Sequence, residues 1–133
     1  MHQHFKRADA LSSEIIGAAI EVHRHQGPGL IEGIYEKCLM HELELRNLKA
    51  INQRSVQIEY KGLVFEEELR FDVLVEGCLL LELKSVKEVL PIHKAQLLSY
   101  MKLLNIPVGL LINFNEMKLT DGVHRMVLRD ANS

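Results

Sequence analysis

The sequence predicts an α/β domain built around a mixed central β-sheet that is flanked by helices. Two helical patterns are followed by three or four strand patterns, and these by one more helix and two more strands. The segment 107–113, "PVGLLIN", is almost wholly apolar, which is typical of a strand covered on both faces. A right-handed crossover through the helical segment 92–105 would make that strand parallel to the strand at 79–85.

Length and composition set the class of protein. A chain of 133 residues with 47% hydrophobic and 26% charged residues is ordinary for one globular domain, which we expect to span 1–133. No apolar run approaches the roughly 20 residues of a membrane span, and the start lacks the apolar stretch of a signal peptide. We therefore expect a cytoplasmic protein without a membrane partner. Cys38 and Cys78 have no metal-binding spacing and are expected to be reduced core thiols.

The charge balance does not favour nucleic-acid binding by itself. The 16 Lys and Arg residues are outnumbered by 18 Asp and Glu residues, which gives a net charge of −2. Nucleic-acid-binding domains usually carry a basic surface. A nucleic-acid function would therefore depend on a local patch or on metal ions.

The first half of the chain begins with two predicted helices. Apolar side chains recur at helical spacing over 9–25, and Gly27-Pro28-Gly29 ends that helix. A second helix is expected over about 30–47. Four histidines near the first helix have i,i+2 spacing, so we expect them to be solvated and not to form a zinc site. They are His2, His4, His23 and His25.

The strands are predicted from the alternation of apolar and polar residues and from the turn residues between them. Val56 and Ile58 alternate with polar neighbours over 53–60, as in a half-buried strand, and Lys61-Gly62 forms a turn. Pro91 stands where the helix 92–105 can begin. The remaining predicted strands are 63–68, 70–75, 79–85, 107–113 and 123–128.

The stretch "LLLELKSV" at 79–86 places charges in a strand that otherwise looks buried. Side chains alternate along a strand, so Leu79, Leu81 and Leu83 share one face, while Leu80, Glu82 and Lys84 share the other. Glu82 and Lys84 are then about 6.6 Å apart along the strand. Unpaired buried charge is costly, so these two side chains need partners.

The preceding strand offers a partner for them in Asp72. A two-residue hairpin loop would put Asp72 on the leucine face, whereas a three-residue loop over 76–78 places it directly opposite Glu82. We predict the second register, because a slip of one residue would invert a whole strand, and Gly77 can supply the positive φ that such a loop needs. One face of the hairpin then carries apolar side chains alone: Phe71, Val73 and Val75 with Leu79, Leu81 and Leu83.

Two facing carboxylates need a cation to remain ionised. Lys84 gives one positive charge, and a divalent metal would give more. Oxygen ligands from Asp72 and Glu82 suit Mg²⁺ or Mn²⁺, which would polarise a phosphate and activate water, with Lys84 orienting that water or acting as base. The same three residues also fit a structural ion-pair network at a sheet edge. These residues alone leave both interpretations open.

Three motifs carry a resemblance to a known family. Asp72 followed by Glu82-Leu83-Lys84 resembles the D…ExK signature of the PD-(D/E)XK nuclease superfamily. Gln96 to Tyr100 matches QxxxY of its RecB-like branches, and Gly29 to Tyr35 matches GxxExxY. The order and spacing of "GPGLIEGIYE", "FDVLVEG", "LELKSV", "HKAQLLSYM" and "GLLINF", from about residue 10 to 128, are similar to the small bacterial GxxExxY family, a branch of that superfamily.

The resemblance implies a restriction-endonuclease-like α-β-β-β-α-β core with a metal site on its central hairpin. It implies that Asp72 and Glu82 are metal ligands and that Lys84 is the catalytic lysine. Leu83 would contribute its backbone carbonyl. Glu32 would bind the metal directly or through water.

The resemblance also implies roles on the helix 92–105. Gln96 would orient the reacting groups, Tyr100 would contact substrate, and His93, near the start of the helix, is a candidate phosphate contact. Ordinary structural roles compete with these. Glu32 could favour a helix N-terminus, Tyr100 could be a core aromatic, and His93 could be a surface residue. Tyr35 is expected to pack in the core.

Three functions follow as hypotheses. The first is a Mg²⁺- or Mn²⁺-dependent phosphodiesterase acting on DNA, or else on RNA. The second is a non-catalytic module that binds nucleic acid or protein and keeps the nuclease fold. The third is a purely structural ion network. Because no additional DNA-gripping domain is expected, specificity would need a homodimer or a partner protein.

Overall fold

The computed structural model describes residues 1–133 and confirms the predicted α/β architecture with a mixed sheet. Three α-helices, one short 3₁₀ helix and five strands follow the predicted order. They are α1 (Phe5–Gln26), α2 (Glu32–Leu45), β1 (Ala50–Tyr60), β2 (Leu63–Val75), β3 (Leu79–Lys84), α3 (Pro91–Leu104), β4 (Val108–Asn113), the 3₁₀ helix (Leu119–Gly122) and β5 (Val123–Val127). No helix combines the length and apolar character that a membrane span requires.

The helix boundaries differ from the predicted ones for local reasons. α1 begins one turn early, because Phe5 packs against the core and extends the buried face. α2 begins at Glu32, not at 30, because Gly29 has φ +87° and Ile31 is extended. It ends at Leu45, and Asn47 beyond it has a left-handed φ of 59°.

The sheet has the strand order β1-β2-β3-β4-β5. β3 and β4 pair in parallel, and the other neighbours are antiparallel. The predicted parallel pairing of these two strands, with α3 between them in the chain, is therefore confirmed. The two strand patterns at 63–68 and 70–75 belong to one strand, β2.

Two apolar cores cover the two faces of the sheet. The first lies under α1 and α2, and it holds Leu79, Leu81 and Leu83 of β3. The second lies under α3, where Leu80 packs with Leu97 and Met101. The predicted alternation along "LLLELK" is thus confirmed.

The register of the hairpin between β2 and β3 is the predicted one near its loop. Val75 pairs with Leu79 and Val73 with Leu81 across a three-residue loop, in which Gly77 has φ +67°. The ladder ends at Val73–Leu81, so the pairings expected beyond it, at 71/83 and 72/82, are absent from the ladder.

The strand β2 carries a bulge where that ladder ends. β1 residue Ile51 pairs with Leu74, but Gln53 pairs with Arg70, so one residue of β1 lies opposite three of β2. Phe71 packs in the second core and Val73 in the first. The prediction that these two side chains share a face was wrong, because the bulge reverses the alternation at the residue between them.

Candidate active site

Asp72 occupies the turning point of the bulge and bonds to the next strand. Its Oδ2 accepts a hydrogen bond of 2.6 Å from the Leu83 N–H. In a continued ladder this amide would face a main-chain carbonyl of β2. The carboxylate takes that place, which fixes Asp72 against the end of β3.

Glu82 and Lys84 of β3 lie beside Asp72 of β2. Lys84 Nζ is 3.5 Å from Glu82 Oε1, and the two side chains are 17% and 16% exposed. Such an ion pair is shielded from solvent, so its charges interact more strongly than those of a surface pair.

The electrostatics of this group are dominated by burial and by negative charge. Burial raises the pKa of Glu82 to about 7; the charge of Asp72 adds to this effect and that of Lys84 opposes it. Burial also raises the pKa of Asp72, against the hydrogen bond from Leu83 and the attraction of Lys84. One lysine therefore does not compensate the two carboxylates.

The N-terminal turn of α2 brings two more carboxylates close to the hairpin. Burial and then the charge of Asp72 raise the pKa of Glu32, the first residue of α2, while Lys84 lowers it. Burial, Asp72 and Glu32 raise the pKa of Glu36 one turn later. Sequence reasoning identified Glu32 and missed Glu36, although their i,i+4 spacing places both on one helix face.

The loop before α2 is held by the side chains of Tyr35 and Ser85. The Tyr35 hydroxyl donates to Gly27 O at 2.5 Å and accepts from Leu30 N–H at 3.0 Å. Its ring is fully buried and stacks on Phe114 with centroids 4.4 Å apart, which confirms the expected core position. Ser85 Oγ donates to Leu30 O at 2.5 Å.

Asn113, at the end of β4, fixes the chain that follows Lys84. It is 1% exposed; its Nδ2 donates to Val86 O at 2.9 Å and its Oδ1 accepts from Val86 N–H at 3.1 Å. Sequence reasoning missed both Asn113 and Ser85. The sequence did contain a signal for Asn113, because it ends the apolar strand pattern 107–113 and a buried amide side chain is expected to be hydrogen-bonded.

The three residues predicted on α3 are not joined to the carboxylates by a hydrogen bond or an ion pair. Gln96 is exposed, and Tyr100 is partly buried against the second core. His93 Nδ1 accepts the Leu90 N–H at 3.0 Å and so caps α3. The position of Tyr100 is compatible with a core aromatic, whereas the capping role of His93 was not predicted.

One of the four histidines near the N-terminus is not solvated. His23 is buried, with Nε2 2.7 Å from Glu116 O, so the expectation of a solvated ring was wrong there. The helix α1 turns it toward the loop after β4, which sequence spacing could not show. His4 and His25 are exposed, and His2 is partly exposed.

The donors present fit a hydrated divalent cation. No group of three or more His, Cys, Asp and Glu side chains is placed to hold a metal ion. Mg²⁺ is commonly bound by one or two carboxylates, with water and substrate phosphate completing its shell. Asp72 and Glu82, partly buried and with excess negative charge, fit that requirement, and Glu32 would then act through water.

The fold and the site together define an α/β domain whose central hairpin carries two carboxylates and a lysine in a D…ExK arrangement. A family model described as the PD-(D/E)XK nuclease superfamily matches residues 9–126, and the chain belongs to this superfamily. Nucleases of this superfamily act on nucleic acids and generally depend on a divalent metal.

A solved structure shares the fold. The crystal structure of SSO0001 aligns with a TM-score of 0.51 and 23% identity, covering 71% of this chain. The chain spans 47% of that protein, and at this identity the likeness concerns the fold alone. No curated protein sequence matches this chain.

Proposed function

We propose that this chain is a divalent-metal-dependent phosphodiesterase that hydrolyses DNA, with Mg²⁺ or Mn²⁺ as cofactor, and that it belongs to the GxxExxY branch. The observation that carries the proposal is the shared, partly buried position of Asp72 and Glu82 beside a single Lys84. A second cation would stabilise the ionised form of both carboxylates.

Each site residue has a distinct part in this proposal. Asp72 and Glu82 would hold the metal, with the Leu83 carbonyl as a further donor and Glu32 acting through water. When bound, the metal polarises the phosphate and lowers the pKa of water. Lys84 Nζ, held at Glu82, would orient the attacking water and stabilise charge that develops on the phosphate.

Residues of α3 would contact the substrate. α3 covers the sheet face to which Leu80 points, and Glu82 follows Leu80 on the same face by strand alternation. Gln96 is an exposed residue of α3, and its side-chain amide can donate to a phosphate oxygen. Tyr100 and the Nε2 of His93 are the further candidates, since the Nδ1 of His93 is occupied by the helix cap.

The negative charge of the site supports metal dependence. Asp72, Glu82 and Glu32 all feel the charge of Lys84, Glu36 adds negative charge near Asp72 and Glu32, and the whole chain has a net charge of −2. A phosphate backbone would be repelled from this surface without a bound cation. Cleavage is therefore expected to require the divalent ion for binding as well as for chemistry.

The second candidate is a non-catalytic module that retains the nuclease fold and binds nucleic acid or protein. The net negative charge and the lack of a three-residue metal group favour it. In either function a second copy or a partner protein would supply additional basic surface. The free thiols of Cys38 and Cys78 support the cytoplasmic location that the sequence predicts.

Metal titration combined with cleavage assays separates these functions. Mn²⁺ binding is measured by calorimetry, and cleavage with supercoiled plasmid and with labelled DNA and RNA oligonucleotides. We expect binding and DNA cleavage by the wild type, weakened Mn²⁺ binding in Asp72→Asn, and a loss of cleavage of about 10² or more in Lys84→Ala with Mn²⁺ still bound.

The matched control is Lys61→Ala, which removes a lysine at the exposed β1–β2 turn beside Tyr60. It should leave metal binding and cleavage unchanged. Absence of Mn²⁺ binding in the wild type, together with equal cleavage by Lys84→Ala, would eliminate the nuclease function and leave the binding module.

A further inference from the structure

We propose that Ser85 is a positioning residue that holds Glu32 at the metal-binding hairpin through the carbonyl of Leu30. This inference rests on the proposed function, since it assigns a role in assembling that site. Ser85 follows Lys84 directly in the chain, and its hydroxyl donates to Leu30 O at 2.5 Å. Leu30 precedes Glu32 by two residues.

The hydrogen bond of Ser85 belongs to a closed circuit of contacts. Lys84 O accepts from Phe114 N–H at 2.8 Å, and the Phe114 ring stacks on Tyr35. Tyr35 in turn accepts from Leu30 N–H. The Ser85 hydroxyl closes the circuit from Leu30 back to the residue beside Lys84.

The start of α2 depends on this circuit because it has no cap of its own. Ile31 is the N-cap residue and makes no side-chain hydrogen bond to the first turn. The loop before it contains Gly27 and Gly29, both with positive φ, and is intrinsically adaptable. Its position against the hairpin is therefore set by Tyr35 from within α2 and by Ser85, the residue that follows β3.

Ser85 links the loop directly, by a hydrogen bond, to the residue that follows Lys84, whereas Tyr35 reaches that segment through its ring contact with Phe114. Tyr35 lies on α2 itself and would move with Glu32. Loss of the Ser85 hydroxyl would let Glu32 drift relative to Asp72, whose charge it feels in the native structure. Partners that orient metal-binding groups typically contribute 10- to 100-fold to metal affinity or activity.

The test compares Ser85→Ala with Ser85→Thr, which keeps the hydroxyl, and with a matched control. The control is Ser12→Ala in α1, where a buried hydroxyl likewise donates to a main-chain carbonyl, Ala8 O, at 3.0 Å. Mn²⁺ affinity is measured by calorimetry, kcat and KM by DNA cleavage, and amide hydrogen exchange over residues 30–35 by mass spectrometry.

We expect Ser85→Ala to weaken Mn²⁺ binding about tenfold, to lower kcat with little change in KM, and to speed exchange over 30–35. Ser85→Thr should restore all three readouts, and Ser12→Ala should lower thermal stability without changing any of them. In a Glu32→Gln background, Ser85→Ala should cause no additional loss of Mn²⁺ affinity.

The failures of the two proposals can be told apart. Wild-type binding and cleavage with unchanged Mn²⁺ affinity in Ser85→Ala would overturn the role of Ser85 and leave the nuclease proposal standing. An equal effect of Ser85→Ala in the Glu32→Gln background would also overturn it. A wild type that binds no Mn²⁺ would remove both proposals together.

Discussion

Replacing Glu82 by Gln is expected to stabilise the protein at alkaline pH while removing a proposed metal ligand. Glu82 has a pKa of about 7 in the folded chain, against 4.5 for an unperturbed glutamate. At about 1.4 kcal/mol per pH unit, this difference corresponds to about 3 kcal/mol. The free energy of unfolding falls by this amount when Glu82 ionises in the folded protein.

The pH dependence has a definite sign. Below pH 4.5 the Glu82 carboxyl is protonated in both the folded and the unfolded chain, so it does not change the free energy of unfolding with pH. Between pH 4.5 and about 7 the unfolded chain binds fewer protons than the folded chain at Glu82, so the free energy of unfolding falls as the pH rises. Glutamine stays neutral, so Glu82→Gln should add up to about 3 kcal/mol at pH 8 and almost nothing at pH 4.5.

Urea unfolding at several pH values, in the presence of a chelator, measures this difference. Glu67→Gln is the matched control, because it removes an exposed carboxylate from the outer part of β2. Added Mg²⁺ at pH 8 should stabilise the wild type and not Glu82→Gln. The reasoning is refuted if Glu82→Gln is no more stable than the wild type at pH 8, or if its gain is the same at every pH.

Three further substitutions test the supports of the site. Tyr35→Phe deletes two hydrogen bonds to the loop before α2 and should cost about 1–3 kcal/mol by urea unfolding; an unchanged midpoint would show that water replaces them. Gly122→Ala should destabilise by about 1–3 kcal/mol or more, because its Cβ would lie 2.3 Å from the main-chain oxygen of Asn113. Gly109→Ala should cost less than Gly122→Ala in thermal unfolding, because its Cβ meets the flexible side chain of Met101, 2.6 Å from Sδ; the opposite order would contradict this.

The hairpin register could be predicted from sequence because burial constrains it. The three leucines of β3 share the core face, and a two-residue loop would put Asp72 on that face, so the three-residue loop between Val75 and Leu79 is favoured. The crossover through α3 followed in the same way from a continuous apolar strand. The pattern of burial along the two strands is therefore enough to predict that Asp72, Glu82 and Lys84 lie close together.

The features that sequence reasoning missed depend on contacts between distant segments. Phe71 and Val73 are both apolar, so no pattern shows that they serve opposite faces. Ser85 bonds to a loop 55 residues earlier, and Asn113 to a segment 27 residues earlier. Neither a hydroxyl nor an amide in a sequence shows which main-chain group it will meet.

The bulge in β2 also determines where the chain can change length. Inserting or deleting one residue between Phe71 and Val73 would reassign side chains to the wrong core and would detach Asp72 from Leu83. At the other end of the same strand, the Lys61-Gly62 turn is exposed and lies beyond both cores. We expect residues to be added there with little loss of stability, so a tag or fluorescent probe belongs at that tip.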